Sequence, residues 1–146
     1  MMKKCVPAAL LLALMAGGLS AGEMEDAAKM VNDAAAAVAK DKATAVVEIG
    51  NPKSRFVKDE LYVFAYDLTG TMVAHPINAK LVGKNLMDVP DANGKLFRKE
   101  IINGVTASGT ASVEYKYKNP QSGAVENKMT YCKKAVDLAV CAGYYP

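Results

Sequence analysis

The sequence predicts one α+β domain in which a long N-terminal helix packs on an antiparallel sheet. Three observations carry this prediction: an Ala-rich stretch at 25–49 without Gly or Pro, short aromatic and β-branched runs after Pro52, and turn residues between those runs. The chain has 146 residues, 51% of them hydrophobic, which suits a single domain with a buried core.

The first 22 residues have the pattern of a secretory signal peptide. Two Lys residues precede an uncharged apolar run at 6–19, and small residues follow at 20–22. The run is short for a membrane span, and an uncleaved anchor is the alternative. We expect cleavage after Ala21 or Gly22, which leaves a periplasmic or secreted mature domain at 23–146.

Composition excludes several classes of function. Removal of residues 1–22 lowers the formal net charge from +3 to +1 with charges interspersed, so nucleic acid is not an expected partner. No later segment approaches membrane-spanning length, so we expect a free domain. One His and three Cys offer no metal cluster and no nucleophile–base pair, and no cofactor motif is present. We therefore expect a binding module and not an enzyme.

The pattern along the chain predicts one helix, two strands, a loop with a short helix, and three more strands. A single helix at 25–49, within a helical segment at 23–50, carries an apolar stripe that Gly50, Asn51 and Pro52 end. The stripe consists of Met24, Ala27, Val31, Ala34, Val38, Ala45 and Ile49. The predicted strands are 61–66, 71–75, 111–118, 125–133 and 138–144. A connection at 77–90 leads to a short helix at 95–102, closed by Asn103 and Gly104.

Cys132 and Cys141 fall in register for a disulfide. If Val136 and Asp137 are the central residues of the last turn, residue 132 lies directly opposite residue 141. An exported location would supply the oxidant, and two buried thiols are the alternative. We expect the bridge, since both Cys residues fall in register.

Six ordered fragments of the chain resemble a known family. They are Phe56-x4-Leu61-Tyr62-Val63-Phe64-x2-Asp67-x2-Gly70-x4-His75-Pro76, Leu81-Val82-Gly83-Lys84-Asn85, Asp91-x2-Gly94-Lys95, Gly109-x3-Val113-x-Tyr115-x-Tyr117-x2-Pro120, Lys128-x2-Tyr131 and Gly143-Tyr144. Over about residues 27–145 the chain resembles the single Cache domain of the second type, as a free-standing exported member.

The resemblance implies a PAS-like fold at 51–146, with a five-stranded antiparallel sheet between the long helix and a loop-and-helix roof. It also implies an exported sensor that binds a small organic anion such as acetate, pyruvate or lactate. A membrane-bound signalling or transport protein is the expected partner. Whether the domain also forms a homodimer through its N-terminal helix is left undecided by the sequence. The alternative is an accessory interaction domain for a membrane sensor kinase, chemoreceptor or transporter, without a ligand of its own.

Lys128 has two interpretations. If the turn at 119–123 pairs Lys118 with Ala124, Glu114 faces Lys128 and a cross-strand salt bridge results. A shift by one residue puts Tyr115 beside Lys128 instead. Side-chain pairing favours the salt bridge, whereas the family resemblance favours a Lys in the ligand pocket.

Four other residues are candidates for the anion site. His75 ends a strand and either contacts the ligand or tethers the following loop. Tyr115 and Tyr117 share a strand face and provide either hydroxyl donors or ordinary sheet packing. Arg98 lies on the short helix of the roof and is the weaker carboxylate candidate. We expect Tyr131 to belong to the core.

The signal-peptide prediction is testable in the native host. Mass spectrometry of the exported protein should show a mature N-terminus near residue 22 or 23, because the cleavage site follows small residues there. Recovery of chain that retains Met1 in a soluble cytoplasmic fraction would contradict the prediction.

Overall fold

The computed structural model describes residues 15–146, with side chains described from residue 22 onward. Three α-helices and six strands follow one another along the chain. They are α1 Met15–Lys40, α2 Lys42–Ile49, β1 Val57–Lys58, β2 Leu61–Asp67, β3 Met72–Ala74, α3 Phe97–Ser108, β4 Thr110–Lys118, β5 Val125–Ala135 and β6 Leu138–Tyr144. Most of the predicted signal peptide lies outside the described residues, and α1 begins within its last part.

The six strands form one antiparallel sheet, in which the five predicted strands are all present and the two-residue β1 is added. The strand order is β1-β2-β6-β5-β4, and β3 pairs with β2. The helices α1 and α2 contact one face of the sheet, and α3 contacts the other. The predicted α+β class and the predicted layering are therefore confirmed.

The predicted single helix at 25–49 is wrong, because the chain forms two helices that meet at Asp41, and the first of them already begins at Met15. The backbone of Asp41 is extended (φ −158°, ψ 95°), and its side chain accepts hydrogen bonds from the backbone N–H (3.2 Å) and hydroxyl (2.9 Å) of Thr44. Asp41 thus serves as the N-cap of α2, a role that competes with helix continuation. Met24 is also exposed rather than buried, whereas the other six residues of the predicted stripe are buried.

The helix α3 is six residues longer at its C-terminal end than predicted. Gly104 does not end it, since the glycine lets the helix approach β4 closely: a Cβ at this position would lie 2.7 Å from the Cβ of Ala111. The buried Val105 follows, and the helix ends at Gly109 in the left-handed conformation (φ 84°).

The salt-bridge register between β4 and β5 is wrong. The pairs are Lys118 with Val125 and Tyr115 with Lys128, which is the one-residue shift of that register. The turn holds six residues, in which Asn119 accepts a bond from Gln121 N–H through Oδ1 (2.8 Å). Glu114 consequently points to the opposite face from Lys128.

Two apolar clusters lie on the two faces of the sheet. The cluster under α1 and α2 is built from Ala, Val, Ile and Phe side chains, together with Tyr144, and Tyr131 packs against it. Tyr131 is a core residue, as expected. The cluster under α3 is aromatic and contains Tyr62, Phe64, Phe97 and Tyr115. The buried polar residues Arg98, Lys128 and Thr130 also lie on this second face, where they contact the Tyr hydroxyls.

The predicted disulfide is present. Cys132 pairs directly with Cys141 across β5 and β6, with a Cα–Cα distance of 4.1 Å and an S–S distance of 2.12 Å. The turn residues Val136 and Asp137 lie between the paired Ala135 and Leu138, as the register argument requires.

Reduction of this bridge should destabilise the domain. A closed loop of about ten residues contributes about 2.7 kcal/mol through the entropy of the unfolded chain, before any strain is subtracted. Urea unfolding with and without reductant measures the loss, and the double variant Cys132→Ala/Cys141→Ala should be insensitive to reductant. Thiol titration of unfolded, unreduced mature protein should find no free thiol, and two reactive thiols in protein purified from the periplasm would rule the bridge out.

Candidate functional site

The strand β6 provides a floor of small side chains on the α3 face of the sheet. Ala139, Cys141 and Gly143 alternate along this strand and therefore project to the same face. Larger side chains of β2 and β4 rise on either side. The centre of the sheet is thereby lower than its flanks, and long side chains from neighbouring strands have room to cross it.

Lys128 of β5 crosses the floor above Gly143. A Cβ on Gly143 would lie 2.7 Å from the Cε of Lys128 and would collide with the Oγ1 of Thr130. Gly143 pairs with Thr130 on one side and with Tyr62 on the other. The missing side chain therefore lets the Lys128 stem reach from β5 over β6 to β2.

The ammonium group of Lys128 ends among four aromatic rings, which we call the aromatic cage. Its Nζ donates to the hydroxyl of Tyr62 at 3.1 Å. It lies 4.4 Å from the ring centroid of Tyr62, 4.9 Å from that of Phe64, 4.8 Å from that of Tyr117 and 5.6 Å from that of Tyr145. Ring faces attract cations, but they do not neutralise one. The residue is only 1% exposed.

Arg98 of α3 brings a second buried positive charge to the same face. Its Nε donates to the hydroxyl of Tyr66 at 3.2 Å, its Nη1 donates to the carbonyl of Val89 at 3.4 Å, and its Cζ lies 4.2 Å from the ring centroid of Phe97. Neither Arg98 nor Lys128 forms a salt bridge with any residue among those that the structure describes. Buried cations are ordinarily paired, so this arrangement favours an external anion.

His75 follows β3 and borders the cage. Its Nδ1 accepts hydrogen bonds from the backbone N–H groups of Ile77 (3.2 Å) and Asn78 (2.9 Å), so the ring tethers the following loop. Its ring centroid lies 5.2 Å from that of Tyr62 and 5.7 Å from that of Phe64. Because Nδ1 only accepts, a neutral ring carries its proton on Nε2, which leaves one donor for a ligand.

Tyr115 and Tyr117 differ in their availability. The ring of Tyr115 stacks on Phe97 at 3.8 Å, and its hydroxyl shares a 2.8 Å hydrogen bond with Thr130, so this residue supports the site by packing. Tyr117 instead borders Lys128 directly. The structure thus brings Lys128, Tyr117 and His75 together around one point and places Tyr115 behind them.

Burial sets the protonation states on this face. It lowers the pKa of His75 to about 3, assisted by the positive charges of Lys128 and Arg98, so the imidazole is neutral at physiological pH. Burial also lowers the pKa of Lys128 to about 7, and Arg98 adds to this effect. The phenols stay protonated, because burial raises the pKa of Tyr66 to about 12 and raises that of Tyr62, Tyr115, Tyr117 and Tyr145 as well. Every ionisable group that faces Lys128 is therefore neutral or positive.

A concavity of about 360 Å³ opens the cage toward solvent. Tyr62, His75 and Tyr117 form its inner wall. Ile77, Asn78, Lys118 and Pro120 line its outer part. A larger concavity of about 490 Å³ runs along α1 and α2, where Arg55 is already paired with Glu48. The smaller one is the better candidate for an entrance, since two of its lining residues, Tyr62 and Tyr117, contact the ammonium group of Lys128.

Sequence reasoning missed several residues of this site. They are Tyr62, Phe64 and Tyr66 of β2, Thr130 of β5, Gly143 of β6, and Tyr145 after β6. The alternation of the three β2 aromatics was a usable signal, because residues at i, i+2 and i+4 share a face. Neither Gly143 nor Tyr145 could be found this way, because their roles depend on which strands are neighbours.

A family model described as single Cache domain 2 matches residues 15–144. The chain belongs to this family. The Cache assignment agrees with the α+β architecture and with the N-terminal helix on an antiparallel sheet. It makes the chain a relative of sensory domains and not of a family of enzymes.

Solved structures of similar architecture are sensor domains. A methyl-accepting chemotaxis protein from Vibrio parahaemolyticus is 23% identical with a TM-score of 0.73, over 87% of this chain and 90% of that one. A periplasmic sensor domain of a chemotaxis protein is 26% identical with a TM-score of 0.71, over 91% and 99%. A Cache chemosensory domain described for carboxylic acid recognition is 20% identical with a TM-score of 0.72, over 90% and 98%.

The search of curated proteins finds no match. Among the residues that the structure describes, no helix has both the length and the apolar character that crossing a membrane requires.

The crossing of Lys128 over Gly143 is testable with a double-mutant cycle. Gly143→Ala should lower the free energy of unfolding by about 1–3 kcal/mol, because its Cβ would overpack against the Lys128 stem. In a Lys128→Ala background the same substitution should cost less, with a coupling of more than about 0.5 kcal/mol. Urea unfolding of the four proteins measures the coupling, and strictly additive effects would contradict the crossing.

Proposed function

We propose that this Cache domain is an exported, non-enzymatic sensor module that binds a small organic anion at the aromatic cage. The observation that carries the proposal is that two buried basic side chains, Lys128 and Arg98, have no carboxylate partner among the described residues. A carboxylate is the simplest group that would neutralise them, and charge-assisted hydrogen bonds would hold it.

The surrounding groups are suited to the rest of such a ligand. The cage supplies apolar ring surface for a short carbon skeleton, and the phenol hydroxyls and the Nε2–H of His75 supply donors. A concavity of about 360 Å³ that offers ring surface and several hydrogen-bond donors favours a small ligand of the acetate, pyruvate or lactate kind. The carboxylic acid recognition described for one relative of the same fold supports this ligand class.

The export and output steps rest on sequence and family. The signal-peptide pattern and the periplasmic sensor domain among the relatives support a location outside the cytoplasm. A membrane-bound signalling or transport protein is the proposed recipient of the signal. Pairing through α1 is the proposed mode of any homodimer.

An accessory domain without a ligand is the second candidate. The aromatic cage favours it, because cation–π contacts and the Tyr62 hydroxyl already stabilise the Lys128 ammonium in part. Such a domain would bind its partner protein while the cage remained closed.

Lys128→Met should abolish stabilisation by a carboxylate while the protein stays folded, since it removes the ammonium group and keeps an unbranched apolar stem of nearly the same length. Wild-type protein at about a hundred times the dissociation constant of its ligand should gain about 2.7 kcal/mol, or about 5–10 °C in Tm. Thermal unfolding with acetate, pyruvate and lactate measures this shift.

Lys134→Met is the matched control, because Lys134 is an exposed residue of the same strand. It should keep the full wild-type shift. A Lys128→Met protein that retains full affinity would disprove the site, and a wild-type protein that none of the three acids stabilises would favour the accessory role.

A further inference from the structure

Lys128 is surrounded on every side by groups that are not acidic. The ionisable groups that face it are Tyr62 of β2, His75 after β3, Arg98 of α3, Tyr115 and Tyr117 of β4, and Tyr145 after β6. The helices α1 and α2 lie across the sheet and do not reach it. A positive charge at Nζ therefore has Arg98 as its nearest charged neighbour and no counter-ion within the described chain.

An ammonium in such a place is costly, and a lysine reduces this cost by giving up its proton. Arg98 cannot do the same, since a guanidinium stays charged in proteins. An anion that enters the cage therefore meets a charged Arg98 and a Lys128 amine that can take up a proton.

We propose that the cage binds a small carboxylate together with a proton, which Lys128 accepts as the anion enters. This inference rests on the proposed function and specifies what that site recognises: a weak acid as its anion plus one proton. The balance is simple. The carboxylate stays ionised, the neutral amine of Lys128 takes one proton from solvent, and a charge-assisted hydrogen bond forms between the two.

The coupling determines how affinity depends on pH. In the free protein the pKa of Lys128 is about 7, whereas a bound carboxylate raises it. Below about pH 6 the amine is already protonated, so binding takes up about 0.1 proton or less and the dissociation constant is flat. Above pH 7 the dissociation constant should increase by about tenfold per pH unit, until the pKa of the bound state is reached.

Isothermal titration calorimetry counts the proton directly. Acetate, pyruvate and lactate should be titrated in pairs of buffers of different ionisation enthalpy, MES and Bis-Tris at pH 6 and HEPES and Tris at pH 8. We expect uptake of about 0.9 proton at pH 8 and about 0.1 at pH 6. Lys128→Arg, which stays charged, should bind without proton uptake at either pH; if the larger side chain does not fit, the wild-type proton count still decides.

A second measurement needs no ligand. The unfolded chain holds its Lys128 proton up to about pH 10.4, whereas the folded chain loses it near pH 7, so the unfolded state binds more protons between these values. The free energy of unfolding of wild-type protein should therefore rise with pH across this window relative to that of Lys128→Met. A difference that stays constant with pH would overturn the inference.

The outcomes separate the two proposals. Saturable binding of a carboxylate with no proton uptake at pH 8 would overturn the coupling and leave the anion-binding function in place. Absence of saturable heat with all three acids would overturn the proposed function, and the coupling with it.

Discussion

The small side chains on the α3 face of β6 are the constraint on which the site depends. The strand lies in the middle of the sheet, and all seven of its residues are buried. A residue larger than Gly at 143 would occupy the space that the Lys128 stem now uses. Without that space the lysine could not reach Tyr62 two strands away, and its charge would lie elsewhere.

The disulfide lies on the same α3 face of the sheet. Cys141 lies between Ala139 and Gly143 on β6, and its partner Cys132 lies on the same face of β5 as Lys128 and Thr130. The covalent bond therefore holds β5 against β6 four residues from the lysine that crosses between them. A fixed spacing of these strands limits how far the Lys128 side chain can move.

The sheet separates two physical roles. Its α1 face is closed by Ala, Val and Ile side chains that bury apolar surface, with little polar chemistry. Its α3 face buries two basic side chains and four phenols among aromatic rings, which costs stability that the apolar face must offset. Under the proposed function, an anion bound on the α3 face would stabilise the folded state through contacts that the free protein lacks.

Local sequence pattern was enough to predict the class of fold, the order of the five main strands and the disulfide, because each depends on a short stretch of chain or on a single hairpin. Ala-rich periodicity, turn residues and the 132–141 register all act over short stretches of chain. Asp41 shows the limit of this reasoning, since its capping of Thr44 interrupts an otherwise continuous helical pattern.

The register of β4 with β5 and the position of Lys128 could be read only from the folded sheet. Cross-strand charge pairing pointed to Glu114, but both faces of this sheet are covered, so polarity alone does not tell the inner face from the outer one. The cage itself draws on β2, β4, β5 and the residue after β6, which are neighbours only once the sheet has formed. No single segment of the sequence specifies which distant strands become neighbours. The contacts of Gly143 and Tyr145 with Lys128 could therefore be recognised only in the folded chain.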